Sequence, residues 1–473
     1  MRTTKQFRTY ATLLAMQLLL SGWAIAAADA TAQLQQIIDD HWQYSLQEDP
    51  VMAGRMGKAG YNNRLPGVTA ADRARRLAAE QQFLQRLQQL ETAQLKDSDR
   101  VNHQLLSWVL RNSVAANQLY LERIPANTFY SFWGSALDAS SGLTMKDMSD
   151  YRDYISRIND FKRYFAENMQ NMRVGMKDGF VLPKIVVQGI APTVRAQVYQ
   201  DPTQSSLYQP FNTLPASLSA AEQQQLRVAA KQAIAEVAIP AFAALADFLE
   251  GEYLQAASQS LAAEQLPNGK AYYRHSIQTY VTADIAPGEI HNMGLAEVKR
   301  IRAEMDALIK ASGFVGSFAE FTRFLRTDPQ FYAKTPEDLL KEAAYIAKRI
   351  DYRLPEFFGK LPRMPYGIVP VPAEIAANYT TASYNAAAIG GSRGGAYWLN
   401  TQALDQRPFY TNWWRLTLHE AASRPSSGKV PCLRSLKTCR NFGATCTSVP
   451  GEQKAGVYTQ SGLALKWASM NNA

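Results

Sequence analysis

Apolar residues that recur every three or four positions constrain this chain more than any other feature, because only an α-helix places them on one face. In the segment TPEDLLKEAAYIAKRI, Leu339, Ala343, Ile346 and Ile350 form such a stripe. Thr335 stands ahead of it as N-cap, Pro336 takes the first helical position, and Asp338 follows three residues after the cap. Ile290, Gly294, Val298, Ile301, Met305 and Leu308 repeat the spacing in a helix that Pro287 opens and Gly313 closes. Residues 33–48, 71–95, 148–175 and 218–250 carry the same period. Between 361 and 400 the texture changes: Pro and Gly recur, and YGIVPV and GAYWLN read as short strands or extended segments. The predicted fold is therefore mainly α, one large helical domain over residues 27–422 with a small extended or β region before His419.

The N-terminus adds an address. Arg2, Lys5 and Arg8 precede an apolar run from Ala11 to Leu20, and Ala24 and Ala26 supply small residues at a cleavage site. That is the layout of a secretory signal peptide over residues 1–26, too short and wrongly flanked for a membrane span. Trp23 stands where a lipobox would need its cysteine. No other segment reads as apolar enough to cross a bilayer, so export to a periplasm-like compartment, without a lipid anchor, is expected.

The charge is unevenly placed. The formal net charge is +9, but residues 421–473 hold Arg424, Lys429, Arg434, Lys437, Arg440, Lys454 and Lys466 against one acid, Glu452. The signal peptide holds three more basic residues, which leaves the body close to neutral and argues against a nucleic-acid partner. All three cysteines, Cys432, Cys439 and Cys446, also lie in the tail, at a spacing that matches no common metal or haem pattern. The 47% apolar and 19% charged content is otherwise that of a globular protein.

The tail begins where a motif breaks off. In LTLHEAASRPSSGKVPC, residues 416–432, His419 and Glu420 follow an apolar run as they do on a metal-binding helix. A zinc hydrolase needs further ligands close by, yet the chain has five histidines and His419 is the last.

Four stretches carry a resemblance: IAPGEIHNMGLAEVKRIRAEMDAL, DPQFYAKTPEDLL, LPEFFGKLPRMPYGIVPVP and GGSRGGAYWLNTQALDQRPFYTNWWRLTLHEA. In order and spacing, residues from about 35 to 420 resemble the bacterial DUF885 proteins, exported or lipid-anchored and related to zinc metallopeptidases. In that family the last stretch continues as H-E-A-x-P-G-H-H and later as E-G-W-x-x-Y-x-E. Neither continuation is present here.

The genetic code supplies a reason. Ser423 to Gly428 can be written TCC CGG CCA TCA TCT GGC, which one base later reads P-G-H-H-L. Residues 439 to 473, read one base out of register, allow LPEFRRYLYFSAWG, continued directly by AEGWGLYAEWLGLEMGLYEQR. Each shifted codon has two bases fixed, so recovering P-G-H-H and E-G-W in the family's order by synonymous freedom alone is improbable. Two extra bases, one near Ala422 and one near Gly428, account for the tail at 423–473 as an out-of-frame segment.

The resemblance implies a peptidase-like zinc site, with His419 as a metal ligand, Glu420 as the general base, and a peptide-like substrate. Zinc would polarise the scissile carbonyl and lower the pKa of its water to about 7. H-E-x-x-x-x-H-H differs from the H-E-x-x-H of other zinc hydrolases, whose two histidines share one helical face, and the Pro-Gly break demands another local geometry. Arg393 in GGSRGGAYW matches a substrate-side position and could clamp a peptide carboxylate. Tyr397 and Asn400 could hydrogen-bond a substrate or oxyanion, with packing and turn roles as the alternative. His291, in EIHNMG, reads as structural before it reads as a ligand, and His41, His103 and His275 have no chemical neighbours in sequence. As written, the chain is expected to have lost a complete site and not to retain zinc. The competing readings are a non-catalytic helical peptide-binding protein and a pseudogene product without function.

Overall fold

The computed structural model describes residues 30–127, 130–137, 140, 143, 145–356, 365–371, 376, 379–385 and 394–406. The fold is mainly α, with one small sheet. Within the span read above as one domain, the chain divides between His275 and Ser276 into two compact units. The signal-peptide and tail assignments lie outside the described residues, as does the helix expected at His419.

Unit 1 begins with α1 (30–48), α2 (Pro50–Arg55), α3 (Ala70–Gln88), α4 (Asp97–Asn117) and α5 (Phe132–Leu137). The single period predicted over 148–175 resolves into α6 (Met148–Asn159) and α7 (Phe161–Asp178), joined at Asp160. Gly179 closes α7 in the left-handed region at φ 75°, and the Phe180 amide bonds back to the Gly175 carbonyl at 2.8 Å. α8 (Lys184–Arg195) follows, and then α9, which runs from Ala220 to Ala256.

The long helix α9 organises this unit. Leu226, Ala230, Ile234, Ala238 and Phe242 are buried at strict four-residue steps, followed by Leu245, Leu249 and Tyr253. In a straight α-helix a four-residue stripe drifts by about 40° per step. Two π turns, Ile234–Ala238 and Leu249–Tyr253, take up that drift, and Gly251 marks a kink in the second. The stripe thereby stays against α6, α7 and α8. Phe165, at the centre, packs edge-on against Phe242 with ring centres 4.9 Å apart and touches Phe132 and Phe161. By length and composition α9 is the one helix among the described residues that could cross a bilayer, but half of its most apolar window is buried inside the protein.

α10 (Gly269–Val281) runs across the division. Unit 2 then holds α11 (Pro287–Ala311), α12 (Phe318–Thr327) and α13 (Pro336–Arg353), followed by β1 (Tyr366–Pro370), β2 (Ala382–Asn385) and β3 (Gly395–Leu399). α13 matches its sequence reading closely. The Thr335 hydroxyl accepts from the Asp338 amide at 3.1 Å, and Leu339, Ala343, Ile346 and Ile350 are all buried. YGIVPV and GAYWLN form β1 and β3; β2 was not foreseen. The sheet order is β1-β3-β2, with β1 parallel and β2 antiparallel to β3. α11 also forms within its expected limits, but its stripe is not covered: of its 25 residues only Ile309 is buried.

Candidate functional site

β3 carries Tyr397, and Asn400 follows directly at its end; the strand ladder decides which side chains share the face of the strand. Tyr366 pairs with Gly395, Ile368 with Tyr397, and Pro370 with Leu399 on one side; Ala382 pairs with Leu399 and Tyr384 with Tyr397 on the other. Tyr397, Leu399 and Ala382 pack on Leu339, Ala343, Ile346 and Ile350 of α13, with Tyr366 and Ile368 at the margin of that core. A buried leucine or isoleucine of this kind stabilises by about 1.5–3 kcal/mol.

The polar groups of this face gather beside Asp351, in the last turn of α13. The Tyr366 hydroxyl donates to Asp351 Oδ1 at 3.0 Å, tying the helix to β1. Burial raises the Asp351 carboxyl above the usual carboxylate range, against the pull of the Tyr366 hydrogen bond and of Lys348. Burial, followed by the neighbouring Asp351 charge, drives the Tyr366 phenol upward, and burial does the same to Tyr384. The Tyr384 ring lies over Gly395, where a Cβ would stand 1.9 Å from its hydroxyl oxygen. Only glycine leaves room for that ring. The phenol keeps its proton and donates its hydrogen bond to the half-buried carboxyl, and the pair fixes the sheet on its helix.

Tyr397 is fully buried within this core. Asn400, equally buried, works as a clamp: its side-chain amide donates to the Ala376 carbonyl at 2.6 Å and the Tyr379 carbonyl at 3.2 Å. Its Oδ1 accepts from the Gln402 amide at 3.0 Å. The structure thus brings Tyr397 and Asn400 together around β3 in packing and turn positions. Arg393, His419 and Glu420 lie outside the described residues. Of the remaining histidines, His41 is buried between aromatic rings, His103 approaches the Leu87 carbonyl at 2.9 Å, His275 is half-buried and His291 is exposed on α11. Among the described residues no three His, Cys, Asp or Glu side chains stand together as metal ligands.

The Asp351–Tyr366–Tyr384 cluster was missed by sequence reasoning. Asp351 ends a predicted helix and Tyr366 opens a predicted strand, but nothing in either segment signals that the two meet.

With this geometry in view, the chain can be compared with known proteins. The profile of a family described as "bacterial protein of unknown function (DUF885)" matches residues 50–422. The chain belongs to DUF885. It is also similar in fold to the crystal structure described as "the putative lipoprotein from Colwellia psychrerythraea", with a TM-score of 0.80. The identity is 18%, over 91% of this chain and 78% of that one, so the likeness is one of architecture. No curated protein matches this DUF885 chain.

Proposed function

We propose that this chain is the frame-broken product of a gene whose intact reading frame encodes an exported zinc-dependent peptidase-like hydrolase. One observation carries the reading: the DUF885 match stops at residue 422, where the genetic code allows a one-base shift to restore P-G-H-H. The charge and cysteine content of the chain change at the same place, as expected of codons never selected to be translated in this frame.

In the intact protein His419 and Glu420 would continue into the restored histidines, and the E-G-W segment would return downstream. Arg393 would remain the candidate clamp for a peptide carboxylate, with Tyr397 and Asn400 in the packing and turn positions around β3. In the chain as written, His419 and Glu420 alone do not make a zinc ligand set, and the described residues supply no other. No hydrolytic step is therefore assigned to this chain.

Resequencing from codon 410 through a few hundred bases past the stop tests the reading. Confirmation of the two extra bases, with about one zinc per molecule and peptide hydrolysis in the protein repaired by their removal, is the expected result. A confirmed sequence whose repaired form binds no zinc overturns it.

A further inference from the structure

Residues 56–69 run between α2 and α3 without a helix or strand. A connection of that length inside a compact unit is uncommon, and such connections are usually functional. Leu65 is the one residue of the segment that is buried, so apolar packing contributes little to holding it. Gly57 and Gly60, near its start, both adopt left-handed backbone, at φ 70° and 83°. Glycine takes that conformation without steric cost.

One face of α6 and α7 holds the segment instead. Arg157, Asp160, Arg163, Glu167 and Asn171 follow one another at steps of three, three, four and four, the spacing of a single helical face. Each of them reaches the main chain of the segment. Arg157 donates to the Tyr61 carbonyl at 2.9 Å, and Asp160 accepts from the Leu65 amide at 2.8 Å. Arg163 donates to the Leu65 carbonyl at 3.1 Å, Glu167 accepts from the Val68 amide at 3.3 Å, and Asn171 donates to the Val68 carbonyl at 2.7 Å. The row thus bonds the backbone of residues 61–68 much as a neighbouring strand would. Arg163 also pairs with Asp160 at 2.6 Å and with Glu167 at 2.7 Å. Those contacts lie wholly within the row and do not depend on the segment.

Closing the segment over this row has an opposing cost. Arg157 is fully buried where it bonds Tyr61, with the Pro50 carbonyl also accepting from it at 3.1 Å. Burial pulls its guanidinium below the usual range, to about 10, and a buried cation regains hydration when its cover lifts. Asn62 presses on α2 as well: a Cβ on Gly54 would stand 2.5 Å from its Oδ1. We infer that residues 57–68 are a strap, hinged at Gly57 and Gly60, that opens as one unit and uncovers a preformed row suited to binding the main chain of an extended peptide. All of these residues lie in unit 1, and neither the frame reading nor the zinc reading enters the inference.

The Leu65 and Val68 amides make the test internal, because both are bonded to carboxylates of the row. Native-state hydrogen exchange, resolved to single amides, compares them with the amide of Met172, buried in the middle of α7. Leu65 and Val68 should exchange at one shared rate, about a hundredfold faster than Met172, because a local opening needs less free energy than unfolding the core. Gly54→Ala, whose methyl displaces Asn62, should speed both amides about tenfold and leave Met172 unchanged. Exchange of the two amides only at the Met172 rate overturns the strap. So does a Gly54→Ala protein in which Met172 accelerates equally, since the opening is then global. Should Gly54→Ala not fold, Asn171→Ala takes its place, because it removes the hold on the Val68 carbonyl. Joint acceleration of Leu65 and Val68 in that variant supports a single opening unit; acceleration of Val68 alone, or of neither, overturns it.

Discussion

α9 in unit 1 and α11 in unit 2 are both long helices with an apolar stripe, and they meet opposite fates. α9 lies against three other helices and builds a core that runs from Val51 to Ala257. α11 buries only Ile309, and among the described residues the core cluster of its unit is formed by α13, Leu354 and the sheet. The difference teaches that periodicity specifies a face, while a stable fold needs a second surface to meet it.

The largest effect should separate the two cores directly. Phe165→Ala removes a ring packed on Phe132, Phe161 and Phe242 and should cost about 3–5 kcal/mol in guanidinium unfolding. Leu399→Ala, in the thinner core, should cost about 2 kcal/mol, since a shallow site relaxes more readily. Equal losses at the two positions would break the comparison.

The two units should also answer acid with opposite signs. His41 is buried against Phe83 and Tyr44, and desolvation lowers its pKa to about 4. The unfolded chain therefore takes up this proton first as pH falls below about 6.5, and up to about 3 kcal/mol is lost on the way to pH 4. Asp351 has a raised pKa, so its contribution is full below the unfolded carboxylate value and is lost as pH rises from there through its raised folded value. His41→Phe should flatten the acid limb of unit 1, and Asp351→Asn should remove the opposite slope. A pH titration of thermal stability that leaves either variant on the parental curve removes that group from the account.

Gly395→Ala sharpens the picture within unit 2. The new methyl meets the Tyr384 ring, and overpacking of this kind costs about 1–3 kcal/mol. Paired with Tyr384→Ala in a double-mutant cycle, the two losses should add to less than their sum; simple additivity would show that the ring does not define the site. The smallest effect is Thr335→Ala, which removes the cap hydrogen bond to Asp338 and should lower stability by about 1 kcal/mol. A change in circular dichroism midpoint below a few tenths of that would mean the cap is redundant.

Much of this architecture was legible in the sequence because its signals are local. The cap at Thr335, the stripe of α13, and β1 and β3 all follow from neighbours a few residues apart. The break at Asp160 was not legible, because the apolar period continues across it while its carboxylate is drawn out to bond the Leu65 amide at 2.8 Å. β2 was missed because ASYN is short and carries little β-branching, and its place is set by pairing with β3. Tyr397 and Asn400 illustrate the same limit at the candidate site. Their residue types suit a substrate contact, but only the register of β3 and the carbonyls of Ala376 and Tyr379 reveal what they hold. The exposure of α11 could not be read from its stripe, since covering a face is a property of the partner.

The π turns of α9 bear on how this protein tolerates changes in length. Each turn holds one residue more than an α turn needs. Deleting a single codon within Ile234–Ala238 would close the bulge to ordinary helix and leave the faces on either side in phase. The same deletion between Leu226 and Ala230 would swing one flank by about 100° relative to the other, bringing charged residues toward the aromatic centre around Phe242. α9 thus carries its own slack, confined to two turns, and single-residue deletions should be accepted there and rejected along the rest of the helix.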